Sequence, residues 1–130
     1  MKPETRMQID LVAWMRKEYP GMLFTSTQAG DRRSKLAAIM MKRMGYTNGT
    51  PDLLIFEPRA NYCGLFLELK SPDGRLSDDQ RVWAQKARDT GYLYHPAFRL
   101  EEVKSVVKQY LDMPKPNHDP YVVGRWRSEA

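Results

Sequence analysis

Apolar and polar positions along the chain follow two periods, one of three to four residues and one of two. From Glu4 to Tyr19, Met7, Leu11, Trp14 with Met15, and Glu18 with Tyr19 recur at helical steps, while Arg6, Asp10 and Lys17 lie off the stripe. This predicts an amphipathic helix that Pro20-Gly21 ends. Met22 to Thr27 is short and β-prone, and Asp31 or Arg32 to Met44 reads as a second helix with Leu36, Ile39, Met40 and Met44 on one face and Gly45 as its stop. The turn cluster Thr47-Asn48-Gly49-Thr50-Pro51 leads into the apolar run Asp52 to Phe56, and Glu57 to Asn61 reads as a hairpin connection to a strand from Tyr62 to Lys70. A helix from Ser77 to Gly91, a strand from Tyr92 to Phe98 and a last amphipathic helix from Leu100 to about Leu111 follow. Pro96 predicts that this last strand lies at an edge or ends near His95. Helices alternating with strands in this order predict an α/β domain, a small mixed sheet with helices on its faces. Residues 1–112 form that domain, and 113–130 are a tail, Pro-rich and then basic and aromatic, read as an arm for the core or a second subunit.

The period of two raises a chemical question. In Leu65-Phe66-Leu67-Glu68-Leu69-Lys70 the leucines share one face, and Phe66, Glu68 and Lys70 the other. A carboxylate and an ammonium in an otherwise apolar strand cost desolvation free energy unless they pair or meet a metal. Asp52 opens the preceding strand, where Pro51 holds the chain extended. If the two strands are antiparallel neighbours, the start of the first lies beside the end of the second, and Asp52, Glu68 and Lys70 meet. Such a set suits metal-assisted phosphodiester hydrolysis. Asp52 and Glu68 would hold one or two divalent ions, and Lys70 would orient or help deprotonate the attacking water. Each part also has a plain structural reading: Glu-x-Lys as a cross-strand ion pair, and Pro-Asp as turn chemistry.

Composition narrows the chemistry further. The chain has 130 residues, 42% hydrophobic and 28% charged, as befits one globular domain. With one cysteine, Cys63, and two histidines, His95 and His118, it has neither an internal disulfide nor a thiolate or His-rich metal site. A metal would therefore be held by carboxylates, which favours Mg²⁺ or Mn²⁺. Met1-Lys2-Pro3-Glu4 leads into no signal-peptide core and no apolar run approaches the ~20 residues of a membrane span, so a cytoplasmic protein is expected.

The net charge is +5, and residues 1–51, with nine Lys or Arg against four Asp or Glu, account for all of it. Arg32, Arg33, Lys35, Lys42 and Arg43 concentrate this excess on the second helix, as a solvated face or as a surface that contacts a nucleic-acid backbone. Two further side chains carry competing readings. Ser77-Asp78-Asp79-Gln80 fits a capping box, in which Gln80 serves the helix rather than a site. Trp14, Trp83 and the tyrosines read as core or interface, and Trp126 as an aromatic that could touch nucleic acid or a second subunit. Cys63 reads as a small strand residue.

Gly49-Thr50-Pro51-Asp52, then Glu68-Leu69-Lys70, then Leu76-Ser77-Asp78-Asp79-Gln80, in this order from about Glu4 to Leu111, resemble the PD-(D/E)XK nuclease superfamily, specifically its VRR-NUC (virus-type replication-repair nuclease) family. The resemblance implies an αβββαβ restriction-endonuclease-like core, Mg²⁺ or Mn²⁺, and phosphodiester hydrolysis in DNA. It makes Asp52 and Glu68 the metal-binding carboxylates, gives the Leu69 backbone carbonyl to the metal, and makes Lys70 the active-site lysine. It adds Gln80 as a site residue in competition with its capping role, and Glu4 as a further candidate metal ligand. Where many relatives have an Asn-Gly loop before the second helix, this chain has Gln28-Ala29-Gly30-Asp31-Arg32-Arg33. Stand-alone copies of this length resemble those of bacteriophages and prophages, which implies a homodimer acting on branched DNA such as Holliday junctions, in the host cytoplasm. A non-catalytic nucleic-acid-binding module on the same fold, or a nuclease for flaps or ends, are the alternatives.

Overall fold

The computed structural model describes residues 1–27 and 34–116. The elements follow in the order α1 (Pro3–Glu18), β1 (Phe24–Ser26), α2 (Lys35–Arg43), β2 (Leu53–Ile55), β3 (Leu65–Leu69), α3 (Asp78–Asp89), β4 (Leu93–Ala97) and α4 (Leu100–Asp112). The four strands make one mixed sheet in the order β1-β2-β3-β4, antiparallel from β1 to β3 and parallel between β3 and β4. A parallel pair needs a long crossover, and α3 provides it. The αβββαβ order is present, with α2 set between the first two strands. Pro96 lies on β4, an edge strand, as its missing N–H requires.

The alternation along β3 sorts the molecule into two cores. Leu65, Leu67 and Leu69 pack with Leu53 and Ile55 of β2, Met7, Leu11 and Met15 of α1, and Val103, Val107 and Tyr110 of α4. On the other face Phe66 joins Ala84 and Ala87 of α3 and Tyr94 of β4, with Trp83 and Tyr92 against them. Phe66 stacks on the Tyr92 ring at 4.3 Å and meets Trp83 edge-on at 5.6 Å.

Four expectations change. β3 begins at Leu65 rather than Tyr62, because Arg59 and Tyr62 close a tight turn on each other, with Ala60 at φ 50°. Cys63 is consequently an exposed loop residue, not a strand residue. The apolar stripe of α2 has the right period but is left open: Leu36 is 70% exposed and Met44 83%, and no residue of α2 is buried. α2 starts at Lys35, where Ser34 is extended and caps it by accepting from the Ala37 N–H, rather than at Asp31 or Arg32; those two residues and the tail beyond Pro116, with Trp126, lie outside the described residues.

Sequence reading also missed a buried cation. Arg59 is 8% exposed and ties the β2–β3 connection to α4 by donating to Glu57 Oε1 at 2.8 Å, the Pro58 carbonyl at 2.9 Å and the Leu111 carbonyl at 3.3 Å. The Tyr110 hydroxyl, its pKa pushed up to about 12 by burial, donates to the Glu57 carbonyl at 2.7 Å. These bonds satisfy a charge that would be expensive if left alone in the interior.

Candidate active site

Antiparallel register brings the two motif strands together. Leu53 pairs with Leu67, so the residue before β2, Asp52, stands beside Glu68. The Leu69 N–H donates to Asp52 Oδ2 at 2.7 Å, which fixes the aspartate across the end of β3. Backbone bonds hold the same corner from both sides: the Thr27 N–H donates to the Asp52 carbonyl at 3.1 Å, and the Lys70 N–H to the Ala97 carbonyl at 2.8 Å. The Thr27 hydroxyl bonds the Pro51 carbonyl. Asp52, Glu68 and Lys70 therefore project from a paired, rigid part of the sheet.

Glu68 is the most perturbed carboxyl of the set. It is 3% exposed, and its pKa is pushed up to about 9, first by desolvation and then by the hydrogen bond and repulsion from Asp52. The nearby Lys70 ammonium and the Tyr94 hydroxyl oppose the shift. Tyr94 donates to Glu68 Oε1 at 3.3 Å, and its own pKa is raised by burial and by Glu68. Sequence reading did not find Tyr94. Only the parallel pairing of β3 with β4, which sets Phe66 against Tyr94, brings its ring to this face.

Two carboxylates crowded in a poorly solvated corner are a donor set that a hard divalent cation fits, because the cation supplies the charge the surroundings lack. Among the described residues no group of three or more His, Cys, Asp or Glu side chains is placed to share an ion, so Glu4, part-buried on the first turn of α1, is not gathered with Asp52 and Glu68. Gln80 serves the helix in this structure. Its Oε1 accepts from the Ser77 N–H at 2.8 Å while Ser77 Oγ accepts from the Gln80 N–H at 3.2 Å, a complete capping box. Lys35 and Arg43 are exposed on α2, Lys42 lies between them along the helix, and Arg32 and Arg33 lie outside the described residues.

A glycine joins these parts. Gly49 has φ 86°, and a Cβ there would lie 2.4 Å from both the carbonyl carbon and oxygen of Asp79, and 2.8 Å from the Gln80 nitrogen. The loop that delivers Asp52 thus lies directly on the backbone of the first turn of α3.

A mixed four-stranded sheet flanked by four helices, with two acidic residues side by side where two neighbouring strands meet, is a restriction-endonuclease-like fold. The VRR-NUC domain model matches residues 2–99, and the chain belongs to that family. A solved structure described as a VRR_NUC domain protein superposes with a TM-score of 0.76 at 24% identity, over 88% of this chain and 93% of that one, and so shares its fold. No curated protein matches the chain. No helix among the described residues is long and apolar enough to cross a membrane.

Proposed function

We propose that the protein is a metal-dependent DNA endonuclease that hydrolyses phosphodiester bonds. The observation that carries this reading is the corner at the end of β3, where Asp52, fixed by the Leu69 N–H at 2.7 Å, adjoins the buried Glu68. Asp52, Glu68 and the Leu69 carbonyl would hold Mg²⁺ or Mn²⁺, which when bound polarises the phosphoryl oxygen and acidifies a water. Lys70 orients that water and offsets negative charge at the phosphate, and Tyr94 holds Glu68 in place. The basic surface of α2, with Lys35, Lys42 and Arg43 and the preceding Arg32 and Arg33, draws the DNA backbone. Gln80 joins the site only by leaving its capping bond.

The exposed stripe of Leu36, Ile39, Met40 and Met44 supports a homodimer, since a globular chain rarely leaves an apolar helix face uncovered. A dimer presenting two such sites would suit branched DNA, including Holliday junctions, in a bacterial or phage-infected cytoplasm. A flap- or end-specific nuclease would use the same corner. A non-catalytic binding module is disfavoured, because an acidic pair facing DNA phosphates weakens binding unless a cation bridges them.

The test incubates the protein with linear, flapped and four-way-junction DNA in Mg²⁺, Mn²⁺ or EDTA, beside Asp52→Ala and Lys70→Ala. Cleavage that needs the ion and falls at least about 10²-fold in both variants is expected. Cleavage that survives EDTA or either substitution overturns the mechanism, and binding without cleavage of every substrate supports the module.

A further inference from the structure

A cleft of about 780 Å³ opens between the C-terminal end of α2, the loop after it and one side of α3. Its walls include Trp83 and Tyr92, which pack against the buried Phe66, and Tyr46. Lys42 and Lys86 also line it, and Asn48 and Asp79 line it where the loop meets α3. The metal-site reading uses none of the aromatic or amide side chains among these.

Two features place the cleft beside the carboxylates. Phe66 lies on the same face of β3 as Glu68, two residues earlier and so roughly 7 Å away along the strand. Asn48 immediately precedes Gly49, whose Cα lies against the Asp79–Gln80 peptide. The seam between loop and helix therefore has the cleft on one side and leads through Pro51 to Asp52. The apolar stripe of α2 does not fill this space, because at about 100° per residue Lys42 lies about 135° around the helix from the mean direction of Leu36, Ile39, Met40 and Met44. With Lys42 on the cleft, the stripe turns away from it.

Aromatic side chains, two lysines and, near the contact of the loop with α3, an amide and a carboxylate together match the chemistry of a nucleotide. Aromatic faces stack bases irrespective of sequence, the lysines meet flanking phosphates, and Asn48 and Asp79 can pair with a base edge. We propose that this cleft receives one unstacked base of the DNA strand whose phosphodiester lies at Asp52 and Glu68. The proposal rests on the nuclease reading and deepens it, since the preferred substrate must then offer an unpaired or splayed base near the cut. Branches, flaps and single strands offer one, and a continuous duplex must first be opened.

The test places 2-aminopurine, one position at a time, along single-stranded and junction DNA, and follows fluorescence and affinity in EDTA, where no cleavage occurs. Quenching at one position near the cut is expected, lost in Trp83→Leu together with about tenfold in affinity and recovered in affinity by Trp83→Phe. Lys86→Ala, at an exposed position on α3 outside the basic surface of α2, lowers affinity and makes the salt dependence shallower by about one in slope, so the test stands even if Trp83→Leu does not fold. In Mg²⁺ an abasic position at the quenched site raises KM with little change in kcat. Unquenched fluorescence at every position, variants that bind DNA like the wild type, or a Trp83→Leu effect confined to self-association each overturn the cleft. Lys70→Ala separates the two readings: quenching retained without cleavage supports both, and cleavage by the wild type without quenching sinks the cleft alone.

Discussion

The two faces of β3 are made by the same five residues and do opposite work. Toward α1 and α4, Leu65, Leu67 and Leu69 are closed over by a mainly aliphatic cluster. Toward α3, Phe66 and Glu68 meet a smaller cluster rich in aromatics, where a buried carboxyl has its pKa pushed up to about 9 and a cleft opens. One face thus supplies the stability from which the other holds a costly arrangement. A period of two makes this possible, since consecutive residues serve opposite sides without a change of backbone.

The leucine face gives the largest expected effect on folding. Leu67→Ala should cost about 2–5 kcal/mol, seen as a lower urea midpoint, because Leu67 is fully buried among residues that cannot all collapse inward. At temperatures where the variant is folded its KM for DNA should match the wild type, and a changed KM would break the division between the faces. Gly49→Ala comes next. Its Cβ would meet the Asp79 backbone, so we expect a loss of about 2 kcal/mol in denaturant titration. Its cleavage rate should fall further than its folded fraction, since the loop bearing Asp52 must part from α3.

The chemical face has its own signature in pH. Glu68 has a folded-state pKa raised above its unfolded value, so the stability it contributes is complete below about pH 4.5 and is lost as pH rises through about 9. Metal-free protein should therefore melt at falling temperature from about pH 5 to about pH 9, as followed by circular dichroism, and Mg²⁺ or Mn²⁺ should recover part of the loss at the alkaline end. A flat profile would show that Glu68 is not buried in this state. The smallest effect belongs to Ser77→Ala, which removes half of the capping box and should cost about 1 kcal/mol in thermal melts.

How far the sequence carried these conclusions depended on whether a signal was local. The alternation in Leu65 to Lys70 and the turn residues around Pro51 are local, and they brought Asp52, Glu68 and Lys70 to one corner through a hairpin whose register follows from its ends. The motif order carried the family. Tyr94 was not legible, because its bond to Glu68 depends on a parallel pairing across a whole helix. Arg59 looked like a turn residue, and its burial depends on α4, some fifty positions later. The role of Gly49 lies in a contact with α3 rather than in its own turn alone. The stripe on α2 was read correctly as a period, but a period does not say which surface will cover it.

Glu68→Gln is the most direct test, because this one side chain is expected to act in opposite directions on stability and on cleavage. Its melting temperature in EDTA at about pH 8 and its Mg²⁺-dependent cleavage should be measured side by side. At this pH the folded wild type must hold Glu68 protonated although the unfolded chain has it ionised, and the amide removes that cost at little change in shape, so the variant should melt at least about 4 °C above the wild type while cleavage falls at least about 10²-fold. A variant that cuts DNA normally, or one that loses cleavage only because it melts below the wild type, would contradict the assignment of Glu68 to the chemistry of this site.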